Sequence, residues 1–155
     1  MLIRTPTRRR AVRSGATLVE SALVYSLVFL ILFGIVLGAT AILRYQQVAH
    51  IARESSRWAA VHGENYAREN NKTAATAADV YQQSVLPQAA SMDPNAITLV
   101  VSWDTDKRPY HLAIINDQVV AVTNNVSVTV EYRWDPGFLL GPFTLRSTSV
   151  SSMHY

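Results

Sequence analysis

One short stretch near the N-terminus places a glycine, a small residue and a carboxylate at a spacing that could support chemistry. Gly15 and Ala16 are followed by Glu20, the first acidic residue in the chain. If the chain were cut after Gly15, Ala16 would be its first residue and Glu20 its fifth. The new α-ammonium group of one subunit could then pair with Glu20 of a neighbour, because each charge compensates the other in a medium of low dielectric constant. Alternatively, Glu20 is an interfacial charge in a first helical turn, favoured by the helix dipole.

The other residues that could catalyse a reaction or bind a metal are dispersed. No histidine has a carboxylate or second histidine at ligand spacing. Asp104 and Asp106 could begin a calcium loop, but the pattern is incomplete, and a solvated turn is expected. The absence of cysteine excludes disulfides and thiol nucleophiles, and no phosphate-binding or nucleophile motif occurs. We therefore predict no enzyme activity, no cofactor and no metal. The four histidines are His50, His62, His111 and His154.

A long apolar run must position the Gly15 to Glu20 stretch. The 23 residues from Ser21 to Leu43 carry no charge. As a helix they would extend about 34 Å, slightly more than a hydrocarbon core of about 30 Å. The run has no polar face, unlike a core helix of a small soluble domain, so it predicts a transmembrane helix. The expected organisation is a basic leader (1–15), a transmembrane helix (16–43) and an exported domain (44–155).

The charges around this helix predict its orientation. Five arginines and no acid precede Gly15, and the positive-inside rule keeps such a segment cytoplasmic. The C-terminal domain is then periplasmic or extracellular. Without the leader the chain is slightly acidic, which argues against nucleic-acid binding. Removal as an ordinary signal peptide at Ala39-Thr40-Ala41 is an alternative, but the apolar stretch exceeds the usual length.

Small residues also recur along the helix at multiples of four positions. Gly34 and Gly38 form a GxxxG pair, which lets two helix backbones approach closely in lipid. The stripe therefore predicts a helix-packing face, although glycine is also common in membrane helices for reasons of composition. Its members are Ala22, Ser26, Gly34 and Gly38.

The N-terminal pattern resembles that of a known family. Residues 13–24 are RSGATLVESALV, and residues 29–35 are FLILFGI. The basic leader, Gly15, a small residue and Glu20 at plus five resemble a type IV prepilin. Among such prepilins, these residues resemble more closely one subgroup, the TadE-like proteins, which are minor pseudopilins of tight-adherence (Flp-type) pilus systems.

The resemblance implies several properties. A prepilin peptidase would cleave between Gly15 and Ala16, and Glu20 would act in assembly. The chain would be inserted in the bacterial inner (cytoplasmic) membrane as a single-pass protein. Its partners would be the membrane, the peptidase, other pilin or pseudopilin subunits and an assembly platform.

The pattern after Leu43 predicts an α+β domain, and the resemblance implies that it is pilin-like. Apolar residues at three- and four-residue spacing continue the membrane helix as an amphipathic helix to about His62, with Gly63 as its C-cap. Residues 65–73 read as a loop, and residues 73–86 as a second helix stopped by Pro87.

The remainder predicts a small antiparallel sheet of three or four strands. Residues 126–134 alternate apolar and polar side chains, which is typical of a strand with one buried face. Further strands are expected at 97–103 and 145–153, with one or two short strands between 111 and 122 around Asn116-Asp117.

Two functions are consistent with these observations. The first is a membrane-inserted minor pseudopilin that takes part in assembly of a tight-adherence pilus or a related secretion apparatus. The second is a single-pass membrane-anchored binding module, whose extracytoplasmic domain captures a ligand or partner while the helix only tethers it.

Overall fold

A computed structural model describes residues 14–137 and 141–154. The chain forms two compact units that divide after Ala39. Helix α1 (Ser14–Val61) is 48 residues long and includes residues of both units, which confirms the prediction of an apolar helix that continues as an amphipathic one. Most of the predicted leader, residues 1–13, lies outside the described residues.

Within the second unit, α1 presents one buried stripe to the core. Val48, Ile51, Ala52, Ser55 and Ala59 are buried. Their three- and four-residue spacing places them on one helix face. The polar residues between them stay in solvent, so this half of α1 is amphipathic.

The stripe packs on a three-stranded antiparallel sheet. Strands β1 (Ile97–Trp103), β4 (Asn125–Trp134) and β5 (Phe143–Ser152) are ordered β1-β4-β5. The central strand is β4, the strand with the clearest alternation in the sequence. Val126, Val128 and Val130 are completely buried, because alternate residues of a strand point to the same face of the sheet.

Two further strands form a separate hairpin. Strands β2 (Tyr110–Ile115) and β3 (Gln118–Thr123) pair only with each other among the described residues. Asn116 and Asp117 connect them with positive φ angles of 52° and 60°, as expected of a two-residue hairpin turn. The prediction of short strands around this turn is confirmed. The predicted antiparallel sheet of three or four strands is confirmed as β1, β4 and β5, and β2 and β3 form a second, separate sheet.

Gly63 was predicted as the C-cap of the first helix, and residues 65–73 as a loop. The first prediction was wrong, and the second was wrong for residues 65–69, whereas residues 70–73 form a loop as predicted. Gly63 has an extended conformation and precedes α2 (Glu64–Glu69). Tertiary contacts stabilise this short helix: Ala67 is buried, and the Glu64 carboxylate pairs with Arg108 at 2.9 Å.

The second predicted helix is shorter, and its end differs from the prediction. Helix α3 (Ala77–Val80) leads into a π-helical turn (Tyr81–Val85) and then α4 (Leu86–Gln88). Pro87 therefore lies within the helical segment instead of ending it. A π-helical turn next to proline is a known way to accommodate the missing amide donor in a helix.

Hydroxyl pairs connect elements that are distant in sequence. The Ser56 hydroxyl lies 2.9 Å from the hydroxyls of both Ser149 and Ser151, and the Ser55 and Ser84 hydroxyls are 3.0 Å apart. In the part of the chain that the structure describes, every buried side-chain nitrogen and oxygen has a hydrogen-bond partner. The polar residues on the buried face of α1 are therefore satisfied in pairs.

The buried face of β4 generates a prediction about stability. Val128→Ala should lower the free energy of unfolding by about 2 kcal/mol, since it removes two buried methyl groups and leaves a cavity. Denaturant titration of the full chain in detergent measures this, followed by tryptophan fluorescence. Val150→Ala is the matched control, because Val150 is 62% exposed and Val128 is 0% exposed. An equal loss of unfolding free energy in both variants would contradict the assignment of Val128 to the core.

The start of α3 generates a prediction about pH. The Asp79 carboxylate accepts hydrogen bonds from the hydroxyl and the backbone N–H of Thr76, and these bonds lower the pKa of Asp79 below its ordinary value of 3.8. A depressed carboxyl pKa adds stability above the unfolded pKa and loses it as the pH falls through the folded one.

Asp79→Asn should therefore lower the melting temperature at neutral pH, and the difference from the unmodified chain should shrink below pH 3.8. Thermal melts at several pH values measure this. Thr76→Ser is the control, because serine retains the capping hydroxyl. A difference that does not change with pH would argue against the Asp79 cap.

Candidate assembly site on the N-terminal helix

Among the described residues of its own unit, 14–39, nothing covers the apolar half of α1. Its large side chains are exposed around the whole circumference; Leu23, Phe29 and Leu30, for example, are each more than half exposed. The described chain has one helix that is long and apolar enough to cross a membrane, and none of its most apolar window is buried. Such a surface is stable in lipid or against other helices, and costly in water.

The predicted processing residues lie at the very start of this helix. Gly15 and Ala16 belong to the first turn of α1, and both are exposed. Glu20 is also exposed, four residues after Ala16. Since residues four apart are neighbours on a helix surface, Ala16 and Glu20 share one face. No residue in 14–137 or 141–154 forms a salt bridge with Glu20.

The exposed Glu20 carboxylate at one end of this apolar helix has no compensating positive charge in a salt bridge among the described residues. A charge at the edge of a membrane costs free energy that grows with depth. A cation from another chain could offset that cost, provided that it reaches the same face of α1. An α-ammonium at position 16 of a neighbouring helix would be such a cation.

The small residues are also exposed along α1. A methyl group added at Gly34 or Gly38 would meet nothing within 4 Å. Packing inside the chain therefore does not require glycine at either position, and the surface is open to another helix. Ala22 and Ser26 are exposed as well, but the Ser26 hydroxyl donates to the Ala22 carbonyl at 2.8 Å. That hydroxyl is thus satisfied within its own helix.

The histidines are distributed over the second unit in structural roles. His62 stacks on Trp58 with ring centroids 3.9 Å apart, and its Nδ1 lies 2.8 Å from the Trp58 carbonyl. His50 Nδ1 lies 3.2 Å from the Gln88 side-chain oxygen, and His154 is exposed. The described residues contain no cluster of three or more potential metal ligands.

Asp104 and Asp106 were considered above as the start of a calcium loop. In the structure, their carboxylates accept hydrogen bonds from other residues of the chain. Asp104 accepts hydrogen bonds from the backbone and side chain of Asn125. Asp106 accepts from the side chain of Asn124 at 2.7 Å and from the backbone of Arg108. Their oxygens thus fix the loop that precedes the hairpin.

Asn124 is the polar residue that sequence reasoning missed. It is completely buried, and its amide donates to Asp106 and to the Arg108 carbonyl. Its side-chain oxygen lies 2.6 Å from His111 Nδ1, and its backbone N–H donates to the Pro109 carbonyl. Asn124 therefore anchors the base of the hairpin. No local sequence signal identifies it, because its partners come from another segment.

These features define a class: a chain with one N-terminal helix suited to crossing a membrane, followed by a small α+β domain. Residues 15–57 match the family model described as TadE-like protein. The match lies entirely within α1 and confirms the resemblance found at the N-terminus. Through this segment the chain is similar to TadE-like proteins. Comparisons with curated proteins and with solved structures gave no match.

Proposed function

We propose that this chain is a membrane-inserted minor pseudopilin that takes part in assembly of a tight-adherence (Flp-type) pilus or a related secretion apparatus. The observation that carries the proposal is the exposed Glu20, which has no salt-bridge partner among the described residues and lies at the start of an apolar helix. A helix that served only as a tether would need neither that carboxylate nor the Gly15-Ala16 pair before it.

In the proposed sequence of events, a prepilin peptidase cleaves after Gly15 on the cytoplasmic side of the bacterial inner membrane. Cleavage removes the arginine-rich leader and exposes the α-ammonium of Ala16. That group pairs with Glu20 of a neighbouring pilin or pseudopilin as their helices bundle at an assembly platform. The exported domain, 44–155, is periplasmic or extracellular, and the role is structural rather than enzymatic.

The stripe that contains Gly34 and Gly38 supports the same proposal. Association of helices in lipid depends on close packing, because lipid tails are as apolar as the side chains. The open space beside both glycines permits another backbone to approach. Ala22 and Ser26 would extend this face toward Glu20.

A cleft in the second unit favours the alternative of a membrane-anchored binding module. The cleft has a volume of about 580 Å³ and lies where α1, α2 and α3 meet. That volume is within the range of small-molecule sites. Its lining includes Trp58, His62, Tyr66, Lys72 and Gln83.

The N-terminus of the protein purified from membranes discriminates between the two functions. We expect intact-mass and N-terminal peptide analysis to find a mature chain that begins at Ala16, often N-methylated. Gly15→Val should block cleavage, whereas Gly141→Val should not. A chain that retains Met1 would contradict the pseudopilin proposal, and one that begins at Ile42 would indicate ordinary secretion.

Glu20→Ala tests the proposed pairing. Incorporation into assemblies should fall about tenfold or more, because an unpaired α-ammonium at low dielectric costs well over the 1.4 kcal/mol that a factor of ten represents. Membrane insertion should be unchanged. Quantitative immunoblotting of membrane and assembled fractions measures both quantities.

Two variants serve as controls for Glu20→Ala. Glu54→Ala removes another exposed acid of α1 and should incorporate normally, whereas Glu20→Asp retains the carboxylate and should incorporate in part. Normal incorporation of Glu20→Ala would count decisively against the pairing.

A further inference from the structure

The cleft where α1, α2 and α3 meet has three aromatic side chains in its lining. Trp58, His62 and Tyr66 follow one another at intervals of four residues. The Trp58 and His62 rings stack with their centroids 3.9 Å apart, and the His62 and Tyr66 rings meet edge to face at 4.4 Å. All three side chains are half-buried, so the cleft has an aromatic surface that is partly open to solvent. We call these three residues the aromatic lining.

The rest of the cleft is mainly polar. Its exposed members include Asn71, Lys72, Thr73 and Gln83, which we call the polar lining. Among the described residues, none of these four side chains takes part in a hydrogen bond or a salt bridge. Their donors and acceptors are therefore available to a ligand that enters the cleft.

The end of α2 fixes the start of the polar lining. Asn71 has a positive φ angle of 51°, and the Lys72 N–H donates to the Ala67 carbonyl at 2.8 Å. These are the features of a helix that ends in a left-handed residue. The turn brings Asn71 and Lys72 into the same lining as Tyr66, which belongs to α2.

The charges of the cleft restrict its ligand. The described lining contains one lysine, Lys72, one aspartate, Asp79, and neither arginine nor glutamate. Phosphate and carboxylate ligands are usually held by several cationic groups, with arginine preferred, and the aspartate opposes them. The lysine likewise opposes a cationic ligand. The cleft is therefore matched to a neutral ligand with many hydrogen-bonding groups.

A pyranose sugar has the required combination of surfaces. The C–H groups on the face of its ring are weakly positive and pack against the electron-rich face of an aromatic ring. Its hydroxyl groups each donate and accept, and the primary amides of Asn71 and Gln83 also offer both a donor and an acceptor. We propose that the cleft binds a neutral saccharide, with a sugar ring against the aromatic lining and its hydroxyl groups bonded to the polar lining.

The size and the position of the cleft agree with this ligand class. Its volume of about 580 Å³ lies within the range of roughly 300–1,000 Å³ that is usual for small-molecule sites. The cleft belongs entirely to the second unit. The inference therefore does not rest on the pseudopilin proposal, and it gives the second unit a ligand whether the apolar helix assembles or only tethers.

Isothermal titration calorimetry of the full chain tests saccharide binding. The detergent must lack a sugar head group, because a maltoside would itself offer a ligand to the cleft; lauryldimethylamine oxide is suitable. The probes are cellotriose, maltotriose and the trimer of N-acetylglucosamine, and at least one should bind saturably. Nicotinamide, a neutral aromatic amide without hydroxyl groups, should bind more weakly than that sugar.

Two neighbouring glutamines provide a matched pair of variants. Gln82 and Gln83 are both exposed and belong to the same π-helical turn, but only Gln83 lines the cleft. Gln83→Ala should weaken binding of the sugar several-fold, whereas Gln82→Ala should leave the affinity unchanged. Asn71→Gly should also weaken it, since glycine keeps the left-handed backbone and removes only the amide.

A second pair of variants tests the aromatic lining. Tyr66→Leu should weaken binding several-fold to about tenfold, because an aromatic contact contributes up to roughly that factor. Tyr110→Leu is the control, since Tyr110 is an exposed tyrosine of the hairpin that does not line this cleft. Circular dichroism verifies that each variant is folded.

Three results would overturn the proposal. They are the absence of binding by all three saccharides up to their solubility limits, tighter binding of nicotinamide than of any of them, and equal affinities of Gln83→Ala and Gln82→Ala. The N-terminus of the same samples is a separate measurement. A chain that begins at Ala16 and binds no sugar would refute the saccharide site alone, and a chain that retains Met1 and binds sugar would refute only the pseudopilin proposal.

Discussion

The apolar surface of the first half of α1 must be kept out of water, and the described residues of that unit, 14–39, supply nothing to cover it. This requirement governs the rest of the molecule. Lipid would satisfy it, and so would other apolar helices, with little change in the polarity of the surroundings. Because the two environments are similarly apolar, the proposed exchange between them would depend on specific features: the Glu20 carboxylate and the open backbone beside Gly34 and Gly38. The helix is thus compatible both with storage in a membrane and with assembly outside it.

In the second unit, by contrast, the apolar stripe of α1 is covered by the sheet of the same unit. Polar side chains in this core form hydrogen bonds with one another; the Ser56 hydroxyl, for example, bonds with those of Ser149 and Ser151. Asn124 does the same at the base of the hairpin, where it connects Asp106, Arg108 and His111. With no cysteine available for disulfides, packing and these buried hydrogen bonds stabilise the second unit. The hairpin is the one sheet in the described chain that leaves an apolar face open to solvent.

The candidate site was more accessible to sequence reasoning than most of the second unit. Gly15, Ala16 and Glu20 stand at fixed offsets on one continuous element, so their placement depends only on a helix beginning at that point. The long helix and the strand from Asn125 to Trp134 were predictable for the same reason. The first half of the helix is apolar on every side, and the strand alternates apolar and polar residues. Both patterns are local properties of the chain.

The sequence by itself determined the apolar helix, the charge asymmetry at its start, the central strand and the turn at Asn116-Asp117. Each depends on side chains within a few residues of one another. Only the tertiary structure decided that α2 forms where a loop was expected, and that β2 and β3 separate from the main sheet. It also decided that Asn124 is buried. Those outcomes rest on partners distant along the chain, such as Arg108 for Glu64 and Asp106 for Asn124, and local patterns cannot specify such pairings.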